Sequence, residues 1–146
     1  MKKILRNLAF VFACLLLLTS TAFANGNIES RASSYIFGKY ANIYAESNGC
    51  LKITFWVSSP APMTELGASA IDIYENDGRS TRLIETVYAT DPGYSHMMGS
   101  GTYHGSNIIY EGTVGYKYYA EVHLTASDST GGDTVKHPSP TVTAKN

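Results

Sequence analysis

Two strand-like segments, residues 34–46 (SYIFGKYANIYAE) and 50–59 (CLKITFWVSS), flank Ser47-Asn48-Gly49, and only one turn length lets their side chains agree. A two-residue loop at Asn48-Gly49 would set Tyr44 against Ile53 and Ile43 against Thr54, mixing apolar and polar partners on both faces. A three-residue loop sets Ile43 against Ile53, Ala45 against Leu51 and Ala41 against Phe55, with Gly49 where such a turn needs a left-handed residue. The segment is thereby committed to an antiparallel hairpin with one apolar face.

The same register decides what happens to Trp56, the single tryptophan of the chain. Leu51, Ile53, Phe55 and Val57 take the buried face, so Trp56 points outward with Lys52 and Thr54. It then stands opposite Tyr40, with Asn42 opposite Thr54 and Tyr44 opposite Lys52. An aromatic cross-strand pair adds about 0.2–1 kcal/mol to a sheet relative to an alanine pair, so the indole has a structural role available on the outer face.

The rest of the chain repeats the theme. Eleven tyrosines, many Thr, Ser, Val and Ile, and glycine-containing turns at intervals predict strands, and no segment carries a sustained helical period. Pro60 and Pro62 are expected to end the second strand, followed by a crossing segment. Residues 69–75 and 81–89 then form a hairpin around Asn76-Asp77-Gly78. Residues 90–101 read as the longest loop, and 102–112 as a strand in which Gly105 weakens the pairing or marks a bulge. The clearest strand is 117–126, with Tyr118, Ala120, Val122, Leu124 and Ala126 on one face and Lys117, Tyr119, Glu121 and His123 on the other. A turn at 127–133 and an edge strand near 134–143, interrupted by Pro138 and Pro140, close the domain. The fold class expected is all-β, an immunoglobulin- or fibronectin III-like β-sandwich of about seven strands spanning residues 34–146. Tyr118, early in the penultimate strand, is placed to act as the tyrosine corner of such folds.

Residues 1–24 read as a bacterial-type signal peptide: Lys2, Lys3 and Arg6, an apolar stretch from Leu8 to Leu18, and Ala22-Phe23-Ala24 before the cleavage point. Export to a secreted form is the expected outcome, with residues 25–33 as a polar lead-in. Lipid anchoring through Cys14 is the alternative, although Phe12 fits a lipobox poorly. The apolar stretch is too short to cross a bilayer as a helix, so no membrane span is expected after cleavage. The secreted part would carry a formal charge of about −4, because Lys2, Lys3 and Arg6 leave while every acidic residue stays. With no basic patch, nucleic acid and anionic membrane are poor partners. Cys50 would then be the lone cysteine, which excludes an internal disulfide and leaves stability to packing.

The motifs Met63-x-x-Leu66-Gly67-Ala68-Ser69-x-Ile71-x-Ile73, Tyr94-x-x-Met97-x-Gly99-Ser100, His104-x-x-x-Ile108-x-Tyr110-x-Gly112 and Gly115-x-x-Tyr118-Tyr119-Ala120-x-Val122 together span most of residues 34–133. In them the chain resembles a family of small secreted proteins of Gram-positive bacteria classified as a domain of unknown function. The resemblance implies a compact β fold and export, and it implies no catalytic or ligand residue.

The chemistry of the side chains points the same way. No Gly-x-Ser-x-Gly elbow or paired-carboxylate motif marks a hydrolase, so no catalytic residue and no enzyme activity are expected. His96, His104, His123 and His137 are spaced unlike any closed zinc motif, and Asp128 and Asp133 lack the alternating ligands of a calcium loop, so neither metal nor cofactor is expected. The residues that stand out are the outward aromatics Tyr40, Tyr44, Trp56 and Tyr119, whose rings offer apolar stacking beside Asn, Thr and Lys. They motivate a secreted, non-enzymatic binding or adhesion module for an extracellular protein or glycan. Two alternatives stand beside it: an envelope structural or interaction protein whose aromatics only pack the sheet, and a small inhibitor or toxin acting through the 90–101 loop.

Overall fold

A computed structural model describes residues 33–146; the expected signal peptide 1–24, Cys14 and residues 25–32 lie outside the described residues. The described residues form seven antiparallel strands in one curled sheet: β1 (Gly38–Ala45), β2 (Cys50–Asn76), β3 (Thr81–Tyr88), β4 (Met98–Glu111), β5 (Lys117–Asp128), β6 (Gly131–Pro138) and β7 (Val142–Thr143). A 3₁₀ turn at Ser95–Met97 leads into β4.

The 27-residue β2 is the spine. Its first half, Leu51–Ser58, lies between β1 and β4, and its second half, Ala70–Asn76, lies between β3 and β5. β6 extends the sheet from β5, and β7 adds a short pair at Lys117 and Tyr118. The result is two arms, β1–β2–β4 and β3–β2–β5–β6, joined by one strand.

This corrects the expectation that Pro60 and Pro62 end the strand. The β1 pairing stops at Ser58, the β5 pairing starts at Glu65, and the β4 register jumps between Ser58 and Met63. Residues 59–62 thus lie at a corner where no ladder partner is present, and a residue without an N–H loses nothing there. Ser59, buried at that corner, donates to the carbonyl of Ala61 at 2.6 Å. The prolines mark where the spine turns between arms, not where it stops.

The first hairpin has the expected three-residue turn, with Asn48 at φ 58° and Gly49 at φ 77°. Its pairs are Ala41↔Phe55, Ile43↔Ile53 and Ala45↔Leu51 on the inner face, and Tyr40↔Trp56, Asn42↔Thr54 and Tyr44↔Lys52 on the outer. β5 divides as its alternation predicts: Tyr118, Ala120, Val122, Leu124 and Ala126 are all buried. These residues join Leu51, Ile53, Phe55 and Val57 of the other arm in a single apolar cluster. Each Leu or Ile fully buried there contributes about 1.5–3 kcal/mol.

Two other local expectations change. Gly105 does not bulge; it pairs in register with Trp56. The 90–101 segment is shorter and more anchored than a free loop, since β4 already begins at Met98 and Met97 is wholly buried in the core. Ring nitrogens extend that anchoring: His96 Nε2 lies 3.1 Å from the Asn107 carbonyl and His104 Nε2 lies 3.0 Å from the His96 carbonyl.

Two carboxylates sit against the fold with dedicated donors. Glu75, buried at the core end of β2, accepts from the Tyr118 hydroxyl at 2.5 Å and from Arg82 at 2.9 Å. These bonds hold its carboxyl below the ordinary 4.5. Burial pushes Asp72 upward, but hydrogen bonds from Thr86 and His123 and the nearby Lys136 outweigh it, and its carboxyl lies below the ordinary 3.8. Groups whose folded values are lowered contribute stability above their unfolded values and lose it as pH falls through the folded ones. Thermal stability is therefore expected to be level from pH 7 to about 5 and to decline below about 4.5, with a shallower decline in Glu75→Gln. Melting curves across that range check it, and a melting temperature at pH 3 equal to that at pH 6 would contradict it.

Candidate functional site: an aromatic row on the outer face

Strand register places the outer face of the β1–β2–β4 arm in successive rows. Tyr40, Trp56 and Gly105 form one row, Asn42, Thr54 and Asn107 the next, and Tyr44, Lys52 and Ile109 the one after. Tyr103 stands opposite Ser58, one row to the other side. Because Gly105 has no side chain, the Tyr103 ring leans into the space beside the indole.

The rings form a continuous row across three strands. Tyr40 and Trp56 have centroids 6.1 Å apart with planes 11° from parallel, and Trp56 and Tyr103 are 6.0 Å apart at 29°. Two glycines keep the ground clear. A Cβ on Gly105 would come within 3.1 Å of the Tyr103 hydroxyl and 3.2 Å of Trp56 Cβ. A Cβ on Gly38 would meet Trp56 Cζ3 at 2.9 Å and Ser58 Oγ at 2.7 Å, so the indole leans over the β1 backbone at Gly38.

Polar groups brace the row along β1. Asn42 Nδ2 donates to the Tyr40 hydroxyl at 3.0 Å, and the Tyr40 and Tyr44 hydroxyls are 3.2 Å apart. That contact pushes the Tyr40 phenol up and draws the Tyr44 phenol down, and either hydroxyl can donate in the neutral pair. Tyr103 remains 61% exposed, and Tyr40 and Tyr44 are also exposed, while Trp56 is half-buried between its neighbours.

Of the four aromatics expected to share a ligand surface, the structure brings Tyr40, Tyr44 and Trp56 to one face. Tyr119 lies on the other arm, where it stacks on Tyr74 with centroids 4.6 Å apart and planes 1° from parallel. Sequence reading missed Tyr103. The sequence carries only half of the signal, that Tyr103 lies two positions from Gly105 and so shares its face; the pairing of Gly105 with Trp56 comes from the structure.

The other arm carries a polar cluster. Asp72 accepts from Thr86 Oγ1 at 2.7 Å and pairs with His123 Nε2 at 2.8 Å, and Lys136 lies 2.8 Å from Glu121 and 3.6 Å from Asp72. Asp72, Glu121 and His123 present ligand atoms within 4.8 Å of one another. The Lys136 ammonium already supplies the positive charge that a bound cation would bring to these carboxylates, so the arrangement is an internally satisfied ion network.

No protein-family model matches the chain, and no curated protein matches its sequence, so function rests on the geometry of these faces.

Proposed function

We propose that the protein is a secreted, non-enzymatic binding module whose ligand lies across Tyr40, Trp56 and Tyr103. The observation that carries this reading is the row itself: three near-parallel rings on three strands, kept clear by Gly38 and Gly105 and open to solvent at Tyr103. A single outward aromatic is ordinary surface, whereas contiguous rings with polar neighbours are how proteins grip flat apolar ligand faces. Export rests on the pattern of residues 1–24. The sandwich description belongs to the same proposal. It is supported by two arms sharing one core and by the Tyr118 hydroxyl, which accepts from the Thr113 backbone N–H at 2.8 Å in the manner of a tyrosine corner.

As the single tryptophan, Trp56 is its own reporter, so bound ligand is expected to shift its fluorescence. The double variant Trp56→Ala/Tyr103→Ala should weaken ligand binding on the order of 10-fold or more, since aromatic anchors dominate such contacts. Tyr74→Ala/Tyr119→Ala, on the other arm, should leave binding unchanged. Binding isotherms for the three proteins decide the matter. Equal affinity for wild type and Trp56→Ala/Tyr103→Ala would assign the row to sheet packing, the reading favoured by the direct Tyr40↔Trp56 cross-strand pairing.

A further inference from the structure

Resting on that reading, we infer that the ligand is an uncharged glycan, laid across the three strands with its sugar faces on the rings and its hydroxyls on the adjoining Asn42–Thr54–Asn107 row. The distribution of charge selects this class. Rows next to the rings carry only Ser58 on one side and Asn42, Thr54 and Asn107 on the other. Along these rows, among the described residues, the first ionic side chain is Lys52, a row later beside Tyr44 and Ile109, and the acidic Glu111 lies opposite Cys50 beyond it. In the described rows an anionic polymer would find Lys52, where such ligands are gripped by clusters of Lys and Arg.

The extent of the surface argues against a protein partner. Stable protein interfaces engage about 20–30 residues a side, with a broad apolar centre. Here the apolar row is bounded at once by amides and hydroxyls, and its outer ring centroids are about 12 Å apart at most. That is the reach of a short run of sugars, since an extended pyranose chain repeats at close to the ring-to-ring step seen here. Pyranoses with equatorial substituents show a flat C–H face that stacks on aromatic rings, while their hydroxyls need donors and acceptors at the margin. The margin is set for this. Asn42 is oriented by bonds from its Nδ2 to Tyr40 and to its Oδ1 from the Ile43 N–H. The exposed Asn107 stands directly across Thr54.

The test uses the protein with cellohexaose and chitohexaose as neutral probes, polygalacturonate and heparin as anionic probes, and a tyrosine-rich peptide, each followed by Trp56 fluorescence and calorimetry. The expected result is binding of at least one neutral oligosaccharide with a fluorescence shift. Its affinity should rise from the disaccharide to the trisaccharide and change little beyond four sugars, and Asn107→Ala should weaken it about 3–10-fold at unchanged melting temperature. Trp56-dependent binding of only a polyanion or the peptide would overturn the glycan inference and leave the binding-module reading standing. Absence of binding by both neutral probes would overturn the inference as well. Neutral-glycan binding indifferent to Trp56→Ala/Tyr103→Ala would overturn both.

Discussion

Gly67→Ala is expected to destabilise the protein by about 2–4 kcal/mol, a shift that urea denaturation reads directly. Gly67 lies where β2 is paired on both edges, to Met98 of β4 and Thr125 of β5. A Cβ there would collide with the Met97 carbonyl oxygen, come within 2.8 Å of Met98 Cα, and meet the His104 ring at 3.1 Å. The first two are backbone atoms of a segment held by the buried Met97, so the clash cannot be relieved by turning a side chain. Gly93→Ala is the control. Gly93 also has positive φ, at 91°, but a Cβ there meets nothing within 4 Å, so only the backbone preference is lost, roughly 1 kcal/mol. Equal denaturation midpoints for the two variants would refute the steric account.

Tyr118→Phe is the second large effect, expected at about 2–3 kcal/mol. The hydroxyl of Tyr118 joins three segments: it donates to Glu75 on β2, accepts from the Thr113 N–H in the β4–β5 turn, and sits on β5 in a side chain 1% exposed. Removing it leaves a buried carboxylate short of a donor and a backbone N–H short of an acceptor, each costing about 1–3 kcal/mol when no replacement is at hand. The acid sensitivity of the variant should also shrink, because the Tyr118 bond is the main cause of the lowered Glu75 carboxyl. Tyr119→Phe, whose ring lies on the outer face against Tyr74, should change stability by well under 1 kcal/mol. If Tyr118→Phe melts with Tyr119→Phe, the buried hydroxyl is not the junction described.

Local pattern made some of this legible and topology hid the rest. The hairpin register could be read residue by residue, because a one-residue slip would have turned Ile43 and Ile53 toward polar partners. The faces of β5 followed from alternation in the same way. Pro60 and Pro62 misled because a missing N–H matters only where a ladder partner exists, and whether one exists at residues 59–62 depends on strands far away in sequence. The candidate site divides along the same line. Tyr40, Tyr44 and Trp56 share a face through one hairpin, which a short window contains. Tyr119 obeys the same outward rule on its own strand, yet β5 pairs with the second half of β2, so it faces out from the other arm. Tyr103 needed the β2–β4 pairing before its neighbour could be named.

The shared spine has a kinetic consequence. As the chain emerges from its N-terminus, the first hairpin can form at once, since its contacts are close in sequence. Ile71 and Ile73 must wait for Val122 and Ala120, their partners on β5. The turn of that first hairpin is pinned later still, when the Lys145 carbonyl accepts from the Gly49 N–H at 2.8 Å. Contacts of such sequence separation make for slow, late-closing folding. A half-made chain would hold a nearly complete aromatic hairpin beside an uncovered strand, and the hairpin turn would be pinned only once Lys145 arrived.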